Sequence, residues 1–169
     1  MTGTRWTRRT LLAVGATAVT STTASLAGCL GTDDESGQWD SQETLSVVSA
    51  KQYNAPNCGC CEEYATYLQE HLDVELEVTT PEDIGEIKRE HGVPADLESC
   101  HTLEIDGYVV EGHVPVEVLE QLVEEEPPIE GIALPGMPSG SPGMPGPVEE
   151  PFTVYAIDED GAYDVYIEV

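Results

Sequence analysis

The 169-residue chain carries 33 acidic residues against six basic ones, a formal net charge of −27. Such a length, less an export signal, suits one domain with one modest core, and so negative a field repels nucleic acid and anionic lipid headgroups, which argues against DNA binding. No acid precedes Asp33, whereas Arg5, Arg8 and Arg9 do, so the mature part keeps three basic residues against 33 acids. That surplus reads as a halophilic adaptation to high salt, and runs such as Glu124-Glu125-Glu126 read as solvated faces rather than calcium sites.

The chain begins with an address. Thr7-Arg8-Arg9-Thr10-Leu11-Leu12 has the twin-arginine pattern, and the uncharged run Leu11 to Ala27 is too short and too weakly apolar for a membrane span. Leu26-Ala27-Gly28-Cys29 resembles a lipobox, so Cys29 is the expected lipidated residue of a lipoprotein on the extracytoplasmic face of the cell membrane. Cleaved or retained, this signal peptide leaves the domain facing outward. Residues 1–28 are therefore signal, 29–43 an acidic linker holding one isolated Trp39, and 44–169 the folded domain.

Within that domain Thr44 to Ala50 is β-rich and predicts a first strand. Asn54-Ala55-Pro56-Asn57 stops it and offers Asn57 as the N-cap of a helix over 60–72, with Cys61, Tyr64, Ala65, Leu68 and Leu72 as its apolar stripe. Asp73 to Thr79 alternates strictly and predicts a second strand. Thr80-Pro81-Glu82-Asp83 opens a second helix, ending at His91 before Gly92-Val93-Pro94. His101 to Ile105 and Tyr108 to Glu111 flank Asp106-Gly107, a hairpin signal. Pro115 opens a third helix over 116–125. Gly131 to Pro147, rich in Pro and Gly, predicts no regular structure, and Phe152 to Ile157 with Ala162 to Val169 predicts a closing hairpin. Strand-helix-strand-helix-hairpin-helix is the order of an α/β, thioredoxin-like fold, here extended by a C-terminal Pro/Gly/Met loop and β-hairpin.

Four cysteines remain once Cys29 is set apart: Cys58, Cys60, Cys61 and Cys100. Two disulfides are possible by arithmetic, but neighbouring Cys60 and Cys61 rarely bond each other, and a Cys58–Cys61 pair leaves Cys60 over. In a thioredoxin-like layout Cys58 stands at a helix mouth, where free N–H groups favour thiolate, and Cys100 stands at the entry of the facing hairpin. If Asp106-Gly107 is a two-residue turn, Cys100 faces His113; a bulge would send His113 to the other face. His101 then projects with Leu103, Ile105 and Val110, as a core histidine or a ligand. His71 and His91, each at a helix end, read as dipole-compensating residues.

Crowded thiolates select soft ions. Three sulfurs within four residues strain a single tetrahedral zinc site, whereas copper(I) accepts two or three sulfurs and shares bridging thiolates, so copper(I), in a multinuclear cluster if the sulfurs bridge, is preferred over zinc. Met137 and Met144 are soft thioethers that add ligands or simply pack. The rival readings are a thiol-disulfide oxidoreductase using Cys58 and Cys61, and a structural zinc or disulfide module.

Cys58-Gly59-Cys60-Cys61, Gly92-Val93-Pro94, Ser99-Cys100-His101-Thr102, Gly107-Tyr108, Glu111-Gly112-His113-Val114-Pro115 and Pro135-Gly136-Met137-Pro138-Ser139-Gly140-Ser141-Pro142-Gly143-Met144 together resemble the CopG-type copper-resistance proteins. The resemblance runs from Thr44 to Val169. It implies an exported, thioredoxin-like copper protein that works with copper efflux or chaperone proteins, with Cys58, Cys60, Cys61 and Cys100 as ligands and redox activity on copper as a further option. The lipid anchor and the acidity depart from that pattern.

Overall fold

In the computed structural model the described residues are 44–169. The twin-arginine segment, Cys29, the acidic linker and Trp39 lie outside them. Ten elements follow one another: β1 (Ala50–Asn54), α1 (Gly59–His71), β2 (Glu77–Thr79), α2 (Ile84–Glu90), β3 (His101–Ile105), β4 (Tyr108–Gly112), α3 (Val116–Glu125), β5 (Gly131–Leu134), β6 (Thr153–Ile157) and β7 (Tyr163–Glu168). The strands form a single mixed sheet in the order β2-β1-β3-β4-β5-β6-β7. The pairs β1/β2 and β4/β5 are parallel and the others antiparallel. No helix among the described residues is long and apolar enough to cross a membrane.

Strand alternation gives the sheet two different faces. One gathers Leu103, Ile105, Val110, Ile132, Leu134 and Val154 against Tyr64 and Leu68 of α1, the Leu72 that caps it, and Val118, Leu119 and Leu122 of α3. Burying each such side chain contributes about 1.5–3 kcal/mol, so this face holds most of the hydrophobic stabilisation. The other has only a small cluster of Leu97, Ala133 and Ile157. Here α2 packs with a buried Lys88, which donates to Thr102 Oγ1 at 3.1 Å and pairs with Glu111.

The β3/β4 register is the one expected from a two-residue turn: Ile105 pairs with Tyr108, Leu103 with Val110 and Thr102 with Glu111. Asp106 and Gly107 both have positive φ, 49° and 91°, as the hairpin turn that matches strand twist requires. The third helix spans the predicted residues, with Pro115 as its N-cap.

Several expectations are corrected. The first strand lies after Thr44–Ala50, at Ala50–Asn54, because its buried positions include polar Gln52 and Asn54, whose burial hydropathy does not signal. The preceding segment is held by carboxylates: Asp73 accepts from Val47 N, and Asp106 from Val48 N and Ser49 N. The strand β2 begins at Glu77 rather than Asp73. Of the segment expected to open the second helix, only its last residue does so: Asp83 caps α2, which starts at Ile84, its Oδ1 accepting from Gly85 N at 2.9 Å. Within the stretch predicted to be irregular, Gly131–Leu134 is a buried strand, and only the residues after it run as turns and loop.

Candidate metal centre

The centre lies where β1 runs into α1 and where β3 begins. Asn57 adopts φ 58°, a left-handed conformation that asparagine tolerates. It therefore precedes the cap rather than forming it. Cys58 is the N-cap, its Sγ accepting from Cys61 N at 3.3 Å. Buried Gln52 donates to Cys61 O at 2.9 Å, bracing the first turn of α1 from β1. Ala55 N donates to Cys100 O at 3.1 Å, fixing the start of β3 against the end of β1. Cys100 is thus carried to the helix mouth by strand pairing, across forty residues of sequence.

All four sulfurs converge, lying within 4.8 Å of one another. Cys58 and Cys61 are joined as a disulfide, while Cys60 and Cys100 are unbridged. Cys60 Sγ stands 3.5 Å from Cys58 Sγ and 3.7 Å from Cys100 Sγ. The buried Cys61 Sγ lies 3.4 Å from Cys100 O, a contact that becomes an S–H hydrogen bond only when the bridge is reduced. The spacing argues against disulfides, yet the C-x-x-C pair is bridged and Cys60 is the cysteine left over.

A second convergence shares Cys100. Its Sγ is 3.1 Å from His113 Nε2 and 3.4 Å from His101 Nδ1, and the three ligand atoms form a compact group. His113 reaches this side because Gly112 has φ 80°, which breaks the alternation of β4; a Cβ there would come 2.4 Å from Leu134 O. His113 Nδ1 lies 2.7 Å from Pro142 O. A carbonyl only accepts, so the proton sits on Nδ1 and the bare Nε2 faces the sulfur. His101 is fully buried, its ring 4.6 Å from Tyr64 and 4.8 Å from His113. It is both a core histidine and a potential ligand, since Nδ1 reaches the sulfur from the core face.

Burial governs the protonation of these groups. It pushes the Cys100 thiol up to about 12, with the neighbouring Cys60 adding to the shift. Burial also holds His101 well below its ordinary range, helped by the adjacent His113 and Lys88, and lowers His113 despite its bond to Pro142 O. Both imidazoles are thus neutral in the folded state but protonate readily once unfolded. The unfolded chain therefore binds more protons below its histidine pKa of about 6.5, and stability falls as pH drops through that value, by up to about 1.4 kcal/mol per pH unit for each ring. Thermal midpoints of the metal-free chain are expected to fall steadily from pH 6.5 to 5 in about 1 M salt, where repulsion among the acids is screened. A flat or rising midpoint contradicts this account.

The remaining candidates divide. Met144 follows Gly143, and Gly143 rests on the first turn of α1: a Cβ there would come 2.7 Å from Tyr64 N and 3.1 Å from Cys60 O. Its φ of 76° is left-handed as well. The Pro/Gly/Met loop is therefore a strap over the helix mouth and His113. Replacing Gly143 by Ala is expected to cost about 1–3 kcal/mol by overpacking, measurable by urea denaturation; no change would mean that the strap does not hold this contact. Met137 is exposed. His71 Nδ1 is bonded to Tyr67 O at 2.7 Å, and His91 Nε2 meets Glu104 at 3.3 Å; neither joins a converging ligand group.

Behind Cys100 lies a feature that sequence reading missed. Glu111, fully buried, accepts from Lys88 Nζ, Ser99 N and, at 2.7 Å, Thr102 Oγ1. Burial pushes its carboxyl up, while Lys88, Thr102 and Ser99 all pull it down. These partners bracket Cys100 on both sides. The available signal was an acid in the middle of β4 facing Thr102, with a lysine on the neighbouring helix.

The family described as "Protein of unknown function, DUF411" matches residues 97–144, from just before Cys100 to Met144. None of the curated proteins matches. Two solved structures do match, form 2 and form 1 of the copper resistance protein copG, each at 34% identity and a TM-score of 0.65. The alignments cover 75% and 73% of this chain and 99% and 98% of those chains. The chain belongs to the CopG copper-resistance family. In this CopG-family member the matched segment holds Cys100, His101, His113 and the strap, while Cys58, Cys60 and Cys61 are supplied by the region before it.

Proposed function

We propose that this CopG-family chain binds copper(I) through Cys58, Cys60, Cys61 and Cys100 once the Cys58–Cys61 bridge is reduced, and that it serves copper sequestration, transfer or tolerance. The convergence of Cys100 on the other three sulfurs carries this reading. The donor set fits the cargo: four soft sulfurs with two neutral imidazoles beside them suit a soft monovalent ion better than a hard cation or a closed tetrahedral zinc site. His101 and His113 are the supplementary donors, with Met144 on the strap and Met137 as further thioethers. Binding releases the thiol protons, so uptake weakens at lower pH. Titration of the reduced chain tests the reading: at least one copper(I) per chain is expected, with preference over zinc. Less than one, or an undiminished capacity after Cys60→Ser, would overturn it.

The observed bridge favours a second reading, a thiol-disulfide oxidoreductase with half-buried Cys58 as nucleophile and buried Cys61 as resolving thiol. It predicts that Cys60 and Cys100 are dispensable for reducing a disulfide such as that of insulin. The parallel β2/β1 pair flanked by antiparallel β3 and β4 supports a thioredoxin-like core for either role; an experimental structure tests it. We also propose that the protein is exported and lipid-anchored at Cys29, within reach of copper efflux or chaperone proteins. Cys29→Ser should then move it from the membrane pellet to the soluble fraction; an unchanged distribution contradicts anchoring there.

A further inference from the structure

We propose that Cys60 and Cys100 form a second redox couple, which closes into an intrachain disulfide when a low-molecular-weight disulfide oxidises the chain beyond its Cys58–Cys61 bridge. With that bridge made, these are the two cysteine sulfurs left unpaired among the described residues, and their Sγ atoms stand 3.7 Å apart. A bond of about 2.05 Å needs a further approach of roughly 1.7 Å. Both residues are only half-buried, so their side chains have room to turn and a small oxidant has access.

The backbone supports already keep the partners together. Ala55 N holds Cys100 O, and Gln52 holds Cys61 O one residue beyond Cys60. Closure therefore joins groups already confined at one site, the situation that gives intramolecular reactions their advantage. The competing partner of Cys60 is Cys58 Sγ at 3.5 Å. Attack there only transfers the existing bridge and releases Cys61, whose sulfur is buried beside Cys100 O, so it consumes no oxidant.

The chemistry balances with a disulfide oxidant such as oxidised glutathione. A thiolate, written here for Cys60, attacks one glutathione sulfur, forming a mixed disulfide and expelling glutathione thiolate. The Cys100 sulfur then attacks the Cys60 sulfur; the protein S–S bond forms, the mixed S–S bond breaks, and a second reduced glutathione departs. Two protein thiols are oxidised, one glutathione disulfide is reduced, and the thiol protons leave on the two glutathione products. The quartet then has three levels, with four, two or no free thiols. Only the first offers every sulfur to a soft ion, so the third is a closed state. This inference rests on sulfur geometry alone and stands whether or not the site carries copper.

The test uses the metal-free full chain carrying Cys29→Ser, so that only the four site cysteines remain. Incubation with excess oxidised glutathione, followed by alkylation and peptide mass mapping, should leave no alkylated thiol, no retained glutathione and a Cys60–Cys100 linked peptide in monomeric protein. Cys100→Ser in the same background should instead trap glutathione on Cys60. Two thiols still alkylated, stable glutathione on both cysteines, cross-linked dimers, or a Cys100→Ser variant free of bound glutathione would each overturn the proposal. The copper reading is judged separately, by titration of the reduced chain.

Discussion

Replacing Lys88 by Met is expected to remove about 3–5 kcal/mol of stability, the usual cost of stripping one partner from a buried ion pair. Lys88 is 2% exposed and Glu111 0%, so water cannot take over the role of the lost ammonium. The carboxylate would keep Ser99 N and Thr102 as donors but would lose its only counter-charge among the described residues. A domain's whole stability is about 5–15 kcal/mol, so the single variant will be substantially unfolded under mild denaturant. The double variant Lys88→Met with Glu111→Gln supplies the control. It removes both charges while leaving an amide oxygen to accept from Ser99 N, and should recover at least half of the loss. Urea denaturation of the two variants decides the matter: a single-variant loss below about 1 kcal/mol, or a double variant less stable than the single, would show that the pair is not electrostatically buried in the way described.

Replacing Cys100 by Ser should lower the copper(I) affinity of the reduced chain by at least about a hundredfold. Removing residues that merely orient a ligand already costs 10–100-fold in metal affinity, and a direct soft donor should lie at or beyond that range. The substitution keeps the backbone carbonyl that accepts from Ala55 N, so the helix mouth and β3 remain joined and the loss falls on the sulfur. Replacing His113 by Gln should cost about 10–100-fold. Competition with a copper(I) chelator at fixed pH ranks the variants. A Cys100→Ser chain binding within about threefold of the parent would separate residue 100 from the site and leave the three N-terminal sulfurs to act alone.

Much of this arrangement was legible because it rests on local rules. The Asp106-Gly107 turn fixed the β3/β4 register from Ile105–Tyr108 to Thr102–Glu111, although the approach of His113 to Cys100 also needs the left-handed Gly112, and the pattern of Val118, Leu119 and Leu122 located α3. Two of the misreadings share one cause, which is burial of groups that hydropathy scores as exposed, and the third has another. β1 was displaced because it buries Gln52 and Asn54; the Lys88–Glu111 pair was passed over because charges are normally assigned to solvent; and β5 was hidden by the glycine and prolines around its short apolar core. The strap over the helix mouth depends on a left-handed glycine meeting a helix some eighty residues away in sequence, which no local pattern records. Spacing singled out Cys58 and Cys61 as the C-x-x-C pair but counted the leftover Cys60 against a bridge; the bridge is made and Cys60 stays a free thiol.

The carbonyl that fixes the proton of His113 belongs to Pro142, with consequences for the order in which the site is built during translation. A nascent chain acquires its sulfur donors by residue 100 and the imidazole by residue 113, but the group that locks the tautomer emerges from the ribosome almost thirty residues later. During that interval the ring is free to present either nitrogen, and a truncated polypeptide ending before the strap would retain that ambiguity permanently. The orientation of that imidazole is thus set only after the strap has been made, well after the sulfurs it stands beside.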